Sequence, residues 1–203
     1  MKRVPFVLIL ALMSFLFLAN PLHSCVGRLL VVAVDNSQDQ VIIGQMLSIL
    51  INERTGTTVD IVKPGDLKTC HEAVLKGEAD IYVNYIGDGL VLTGASSGGD
   101  DPQKVYTLVS QAFLEKFEMV WLKPFGFQGP MASEANPAKK KSGTLAAPVT
   151  TRDVLRKFPV LDRLINKLGG RVDNSIMEEL RKKAEGQEVK EVVREFLKAH
   201  RLI

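Results

Sequence analysis

Residues 27 to 85 alternate between apolar runs of strand length and amphipathic stretches of helix length, an order that few folds accommodate. GRLLVVAV at 27–34 is a continuous run rich in Val and Leu, as expected of a strand covered on both faces in a parallel sheet. The polar stretch Asp35 to Gln40 follows, with Ser37 and Gln40 at capping-box spacing. Ile42, Ile43, Met46, Leu47, Leu50 and Ile51 then recur at helical intervals before Gly56. Thr57 to Val62 alternates as a second strand, and Pro64-Gly65-Asp66 turns the chain into a helix from Leu67 to Lys76 that Gly77 ends. Ala79 to Tyr85 reads as a third strand. Strand, helix, strand, helix, strand with short connections and right-handed crossovers predicts a parallel, doubly wound sheet.

Past a Gly- and Ser-rich stretch at 94–100, Asp101 caps and Pro102 opens a helix with Val105, Leu108, Val109, Ala112 and Phe113 on one face. Met119 to Leu122 reads as a fourth strand. Residues 129–149, with the Lys139-Lys140-Lys141 run, show no apolar period and read as a solvated loop. The remainder is helical, broken near Pro159, Gly169-Gly170 and Gly186, and ends in a stripe of Val189, Val192, Val193, Phe196 and Leu197 that should pack on the sheet. The expected architecture is an α/β lobe of three αβα layers, with a mostly parallel doubly wound sheet and C-terminal helices.

Lys2 and Arg3 precede an apolar run from Val4 to Ala19, the layout of a secretory signal peptide, too short for an ordinary membrane span. The expected division is therefore a signal peptide at 1–25 and an exported domain at 26–203. Leu22-His23-Ser24-Cys25 resembles a lipobox, which makes Cys25 a candidate for lipidation and places the protein in the periplasm or on the outer face of the cytoplasmic membrane. Cys25 and Cys70 are the two cysteines, so one disulfide is available if Cys25 is unmodified; otherwise Cys70 is a lone thiol or a small buried apolar residue. Removal of the leader takes Lys2, Arg3 and no acid, so the formal charge falls from +3 to +1 and a nucleic-acid partner has no electrostatic support. No phosphate loop, nucleophile elbow, Cys-x-x-Cys pair or histidine cluster occurs, so the reading is of a non-enzyme with neither metal nor cofactor.

Three stretches carry a family resemblance. The first runs from Arg28 to Leu92 and includes VIIGQML and HEAVLKGEADIYVNYIG, the second is DPQKVYTLVSQAFLEKFEMVWLKPFGF from Asp101, and the third runs from Ala147 to the end. Together they resemble the substrate-binding proteins of ABC-type glycine betaine and osmoprotectant importers, of periplasmic binding protein type 2 fold, with His71, Glu72, Asp80, Tyr82 and Tyr85 matching the most specific segment. The resemblance implies an ABC importer permease as partner and a small quaternary amine such as glycine betaine or choline as solute. It also implies a second lobe between the fourth strand and the C-terminal helices, where this chain has only the loop, and an aromatic cage member where it has Phe127-Gln128-Gly129-Pro130-Met131. The opposing wall would then come from a homodimer or from a separate second-lobe protein. An exported single-lobe accessory protein that binds no solute is the other reading.

Ligands of open α/β sheets bind at the carboxyl ends of the strands, which singles out Tyr85 and the turn Asp35, Asn36, Ser37 and Gln38 as candidate contacts. Tyr85 could face a quaternary ammonium by cation–π contact or be a packing residue, and both readings stand. The turn could offer polar groups to a solute or simply cap a helix. Trp121 is a candidate only if the end of its strand opens into the cleft, and otherwise packs in the core; Tyr82 reads as a core residue.

Overall fold

The computed structural model describes residues 29–95, 101–129 and 145–203. The elements in chain order are β1 (Leu29–Asp35), α1 (Gln38–Thr55), β2 (Thr58–Gly65), α2 (Leu67–Leu75), β3 (Ile81–Tyr85), α3 (Ile86–Thr93), α4 (Pro102–Phe117), β4 (Met119–Trp121) and β5 (Ala146–Thr151). Four tail helices follow: α5 (Arg152–Lys157), α6 (Leu161–Ile165), α7 (Asn174–Gly186) and α8 (Val189–Ala199). The sheet order is β2-β1-β3-β5-β4, with β1 parallel to both β2 and β3 and β5 antiparallel to both its neighbours. The expected three-layer, mostly parallel sheet is present.

Strand alternation divides the core into two faces. Leu30, Val32, Val34, Ile81, Val83 and Tyr85 face α1 and the tail helices; Ala33, Tyr82, Val149 and Trp121 face α2, α3 and α4. Asp80 joins the amino ends of β1 and β3 to the carboxyl end of β5: its carboxylate accepts from Val31 N–H at 2.8 Å, its own N–H donates to the Val31 carbonyl, and Thr150 Oγ1 donates to its carbonyl.

The tail helices share the core on one face of the sheet, as expected, with α8 packing chiefly on α1. Val192, Val193, Phe196 and Leu197 are buried there, each worth about 1.5–3 kcal/mol. The Arg194–Glu53 ion pair beside them is half exposed and worth under about 1 kcal/mol, so the apolar stripe holds the helix.

Two elements depart from the sequence reading. β5 occupies 146–151, the end of the stretch expected to be loop, and lies between β3 and β4 in the sheet. Proline and alanine are poor strand formers, which hides it. Pro148 is tolerated because its carbonyl accepts from Leu122 N–H, so its missing donor faces the β4 side, where that three-residue strand has already ended. α3 starts directly from Tyr85 with no capping side chain. Its Gly89 admits Trp121 and Val109, whose side chains would lie 2.8 and 2.7 Å from a Cβ at that position. The leader, Cys25 and the Lys139–Lys141 run lie outside the described residues.

Candidate functional site

The parallel strands β1 and β3 end side by side at Asp35 and Tyr85, and α1 and α3 begin there. The Asp35 carboxylate accepts from Ser37 N–H at 2.7 Å and Ser37 Oγ at 2.5 Å, and Ser37 Oγ in turn accepts from Gln40 N–H at 3.4 Å. Half of the expected capping box therefore forms. The Gln40 side chain turns inward and donates from Nε2 to the Val83 carbonyl at 3.2 Å. Asn36 and Gln38 are exposed, and Gln38 Nε2 donates to the Arg181 carbonyl, tying α1 to α7.

Tyr85 is only 5% exposed. Gly129 comes so close to its ring that a Cβ there would fall 2.1 Å from a ring carbon. Its hydroxyl and Gln40 Oε1 are both buried without a hydrogen-bond partner. Burial drives the hydroxyl well above the usual tyrosine range; the nearby Gln40 amide offsets this in part without aligning into a bond.

Three carboxylates surround this spot. Asp39, 5% exposed, takes a bidentate grip from Arg181 on α7, at 2.5 Å to Nε and 2.8 Å to Nη2. Asp35 has no basic partner among the described ion pairs. Burial, then the charge of Asp35, raises the Asp88 carboxyl above its ordinary value. One guanidinium against three carboxylates leaves the local field negative, which suits a cation and opposes an anion.

Trp121 does not join this group. It sits on the opposite face of the sheet, edge-on to Phe113 at 5.1 Å and to Tyr106 at 6.4 Å, because the alternation of β4 and the close approach of Gly89 direct it there. Tyr82 is fully buried on that face, its hydroxyl hydrogen-bonded to His71 Nδ1 at 2.8 Å. Cys70 is likewise buried, and desolvation pushes its thiol up to about 12. Asp39, Gln40, Asp88 and Arg181 were not anticipated as site residues. Asp39 and Gln40 directly follow the turn singled out, in the first turn of α1, but Arg181 is 142 residues from Asp39 and nothing local marks it.

The family model for the substrate-binding domain of the ABC-type glycine betaine transport system matches residues 28–133 and 95–199. The chain belongs to this family. A curated member, the carnitine transport binding protein OpuCC of Listeria monocytogenes serotype 1/2a (strain 10403S), is 31% identical over 139 residues. That alignment takes in 68% of this chain but spans only 42% of the relative. Among solved structures, a glycine betaine/carnitine/choline ABC transporter protein superposes with a TM-score of 0.76 at 19% identity, covering 85% of this chain and 99% of that one. Apo YehZ from Escherichia coli gives 0.74 at 14% identity, covering 86% and 99%. Lactococcal OpuAC, closed on glycine betaine, gives 0.51 at 13% identity, covering 86% and 96%. At such identities these three speak for the fold alone. The substrate-binding domain family is thus the one the motifs at 28–92, 101–127 and 147–203 resemble. Among the described residues no helix is long and apolar enough to cross a membrane.

Proposed function

We propose that the chain is the solute-binding lobe of an exported receptor for an ABC importer, and that it takes a small organic cation of the quaternary-amine class at the Tyr85 end of the sheet. The observation that carries this is the pairing of a buried, unpartnered tyrosine hydroxyl and Gln40 carbonyl with a net-negative ring of Asp35, Asp39 and Asp88. A cationic head meets the carboxylates favourably, whereas the carboxylate of a zwitterion meets Asp35 and Asp88 as a like charge, so choline should be preferred to glycine betaine.

One aromatic face contributes about 0.5–2 kcal/mol, short of the roughly 4 kcal/mol that a millimolar site requires. The acidic groups and a second wall must supply the rest. That wall would come from a second copy or a separate polypeptide, because residues 130–144 are too few to form a lobe. The leader and Cys25 fit an exported chain held at the outer face of the cytoplasmic membrane, beside the permease that would receive the solute.

Calorimetric titration with choline, glycine betaine and carnitine tests the reading. Millimolar binding with choline strongest is expected, and Asp88→Asn should narrow the preference. Absence of heat at tens of millimolar of all three, with light scattering showing a monomer throughout, would sink it. The burial of Tyr85 under Gly129 favours the second reading, an exported accessory lobe that engages only protein partners, and that outcome would select it.

A further inference from the structure

At the end of the sheet opposite Tyr85, where β1 begins, a cavity of about 550 Å³ is lined by Leu30, Ile51, Thr57, Phe158, Val160 and Leu161, with Arg54 on its rim. A second, of about 190 Å³, shares Arg54 and Val160 and adds Arg163 and Lys167. Together they form one groove with an apolar floor and a rim of three cations. No acid lines either part. Arg54 Nε donates to the Leu202 carbonyl at 2.6 Å, which holds its guanidinium at the rim; of the neighbouring acids, Asp162 accepts from Arg163 N–H and Glu53 pairs with Arg194. Val160 stands 46% exposed in the groove, and Leu29, at the start of β1 next to the lining residue Leu30, is 49% exposed. Apolar side chains held out in solvent within a basic rim match the interface of a bilayer carrying anionic headgroups, in which the side chains enter the acyl boundary and the cations meet phosphates.

The chain's course points to the same partner. β1 enters the fold at this edge, and Leu29 lies four residue steps after Cys25. Fully extended, they reach about 14 Å. If Cys25 is acylated, as the membrane-anchored reading has it, this face is the part of the lobe held against the bilayer, and the Tyr85 end points away from it.

We propose that this groove is a docking surface for an anionic lipid bilayer. The proposal rests on the anchored reading for its orientation but has its own readout. The full-length chain is mixed with vesicles of phosphatidylcholine alone, or with phosphatidylglycerol added, and amide hydrogen exchange is followed over 51–57 and 158–167. Exchange there should slow at least fivefold in the anionic vesicles only. A triple variant, Arg54→Glu, Arg163→Glu and Lys167→Glu, should lower the docked fraction about a hundredfold, with its circular dichroism spectrum showing that the fold is kept. Val160→Asp should weaken docking without changing the three cations.

Equal protection in neutral vesicles, no protection in anionic ones, or protection that survives the triple variant would overturn the proposal. So would protection without vesicles, whether it depends on residues 1–28 or grows with protein concentration, since the occupant would then be the chain's own leader or a second copy. Flotation reads anchorage separately: a chain that floats only with anionic vesicles removes the anchor and leaves the docking surface standing.

Discussion

Tyr85 N–H donates to Asn84 Oδ1, Asn84 Nδ2 donates to the Tyr82 hydroxyl at 3.2 Å, and that hydroxyl is hydrogen-bonded to His71 Nδ1 at 2.8 Å. Burial lowers the pKa of His71 and so favours the neutral ring; with Asn84 already donating to the Tyr82 hydroxyl, that hydroxyl's own proton goes to Nδ1, which assigns His71 the Nε2–H tautomer. Tyr82→Phe would strand His71 Nδ1 and Asn84 Nδ2, and should cost about 2 kcal/mol, seen as a fall of about 4–8 °C in the melting temperature. An unchanged melt would dissolve the relay. The same burial fixes the sign of a pH effect. Below about 6.5 the unfolded chain protonates His71 while the folded one does not, so stability is full above that value and declines as pH falls through the window beneath it. Urea midpoints between pH 7 and 5 should record the decline, and His71→Gln should flatten it. Asp88 works in the opposite direction: its raised pKa means that its charge is unwelcome in the fold at neutral pH. Asp88→Asn should therefore stabilise the protein, seen as a raised urea midpoint at pH 7, while weakening cation binding. Stability lost on that substitution would show that Asp88 serves the fold and not a ligand.

The link between α7 and α1 is ionic where the link between α8 and α1 is apolar. Arg181 is one-third exposed but its partner Asp39 is not, so Arg181→Ala leaves a buried carboxylate without its cation. A loss of about 2 kcal/mol is expected, and Arg181→Lys should restore only part of it, because an ammonium cannot reproduce the two-point grip. A denaturation midpoint that does not move would mean solvent reaches Asp39. Gly129→Ala should be felt at Tyr85, since the added methyl would occupy the ring's place; near-ultraviolet dichroism would report the displaced tyrosine. What was legible in the sequence at this scale follows from periodicity. β1, α1, β2, α2 and β3 were readable because long apolar runs or capped helical stripes leave one solution each. α3 was not, since IGDGLVLT has two glycines and no cap, and its helix is decided by the packing of Gly89 on Trp121. Of the site, Tyr85, Asp35 and Ser37 were readable from strand ends, whereas Arg181 joins through tertiary folding alone.

The sheet interleaves early and late parts of the chain. β5, formed after residue 145, pairs with β3 on one side and β4 on the other, and the helices that follow it close over α1, which follows β1. The amino-terminal strands therefore cannot complete their core until the tail has folded: Val83 and Tyr85 share a face with Leu164, Val172, Met177 and Val193. Such dependence forbids an independently stable first half and predicts a single cooperative unfolding step. Trp121, the lone tryptophan, gives a local probe on the α4 side of the sheet, while far-ultraviolet dichroism is dominated by helices, among them α1, α7 and α8 on the other side. The two signals look at opposite layers, so their agreement measures coupling through the sheet. In urea, fluorescence and dichroism should trace coincident transitions with one midpoint, and Arg181→Ala, which touches only the far layer, should move both equally. A fluorescence transition that stays in place while the dichroism shifts would mean that the two layers unfold separately and that β5 does not join them.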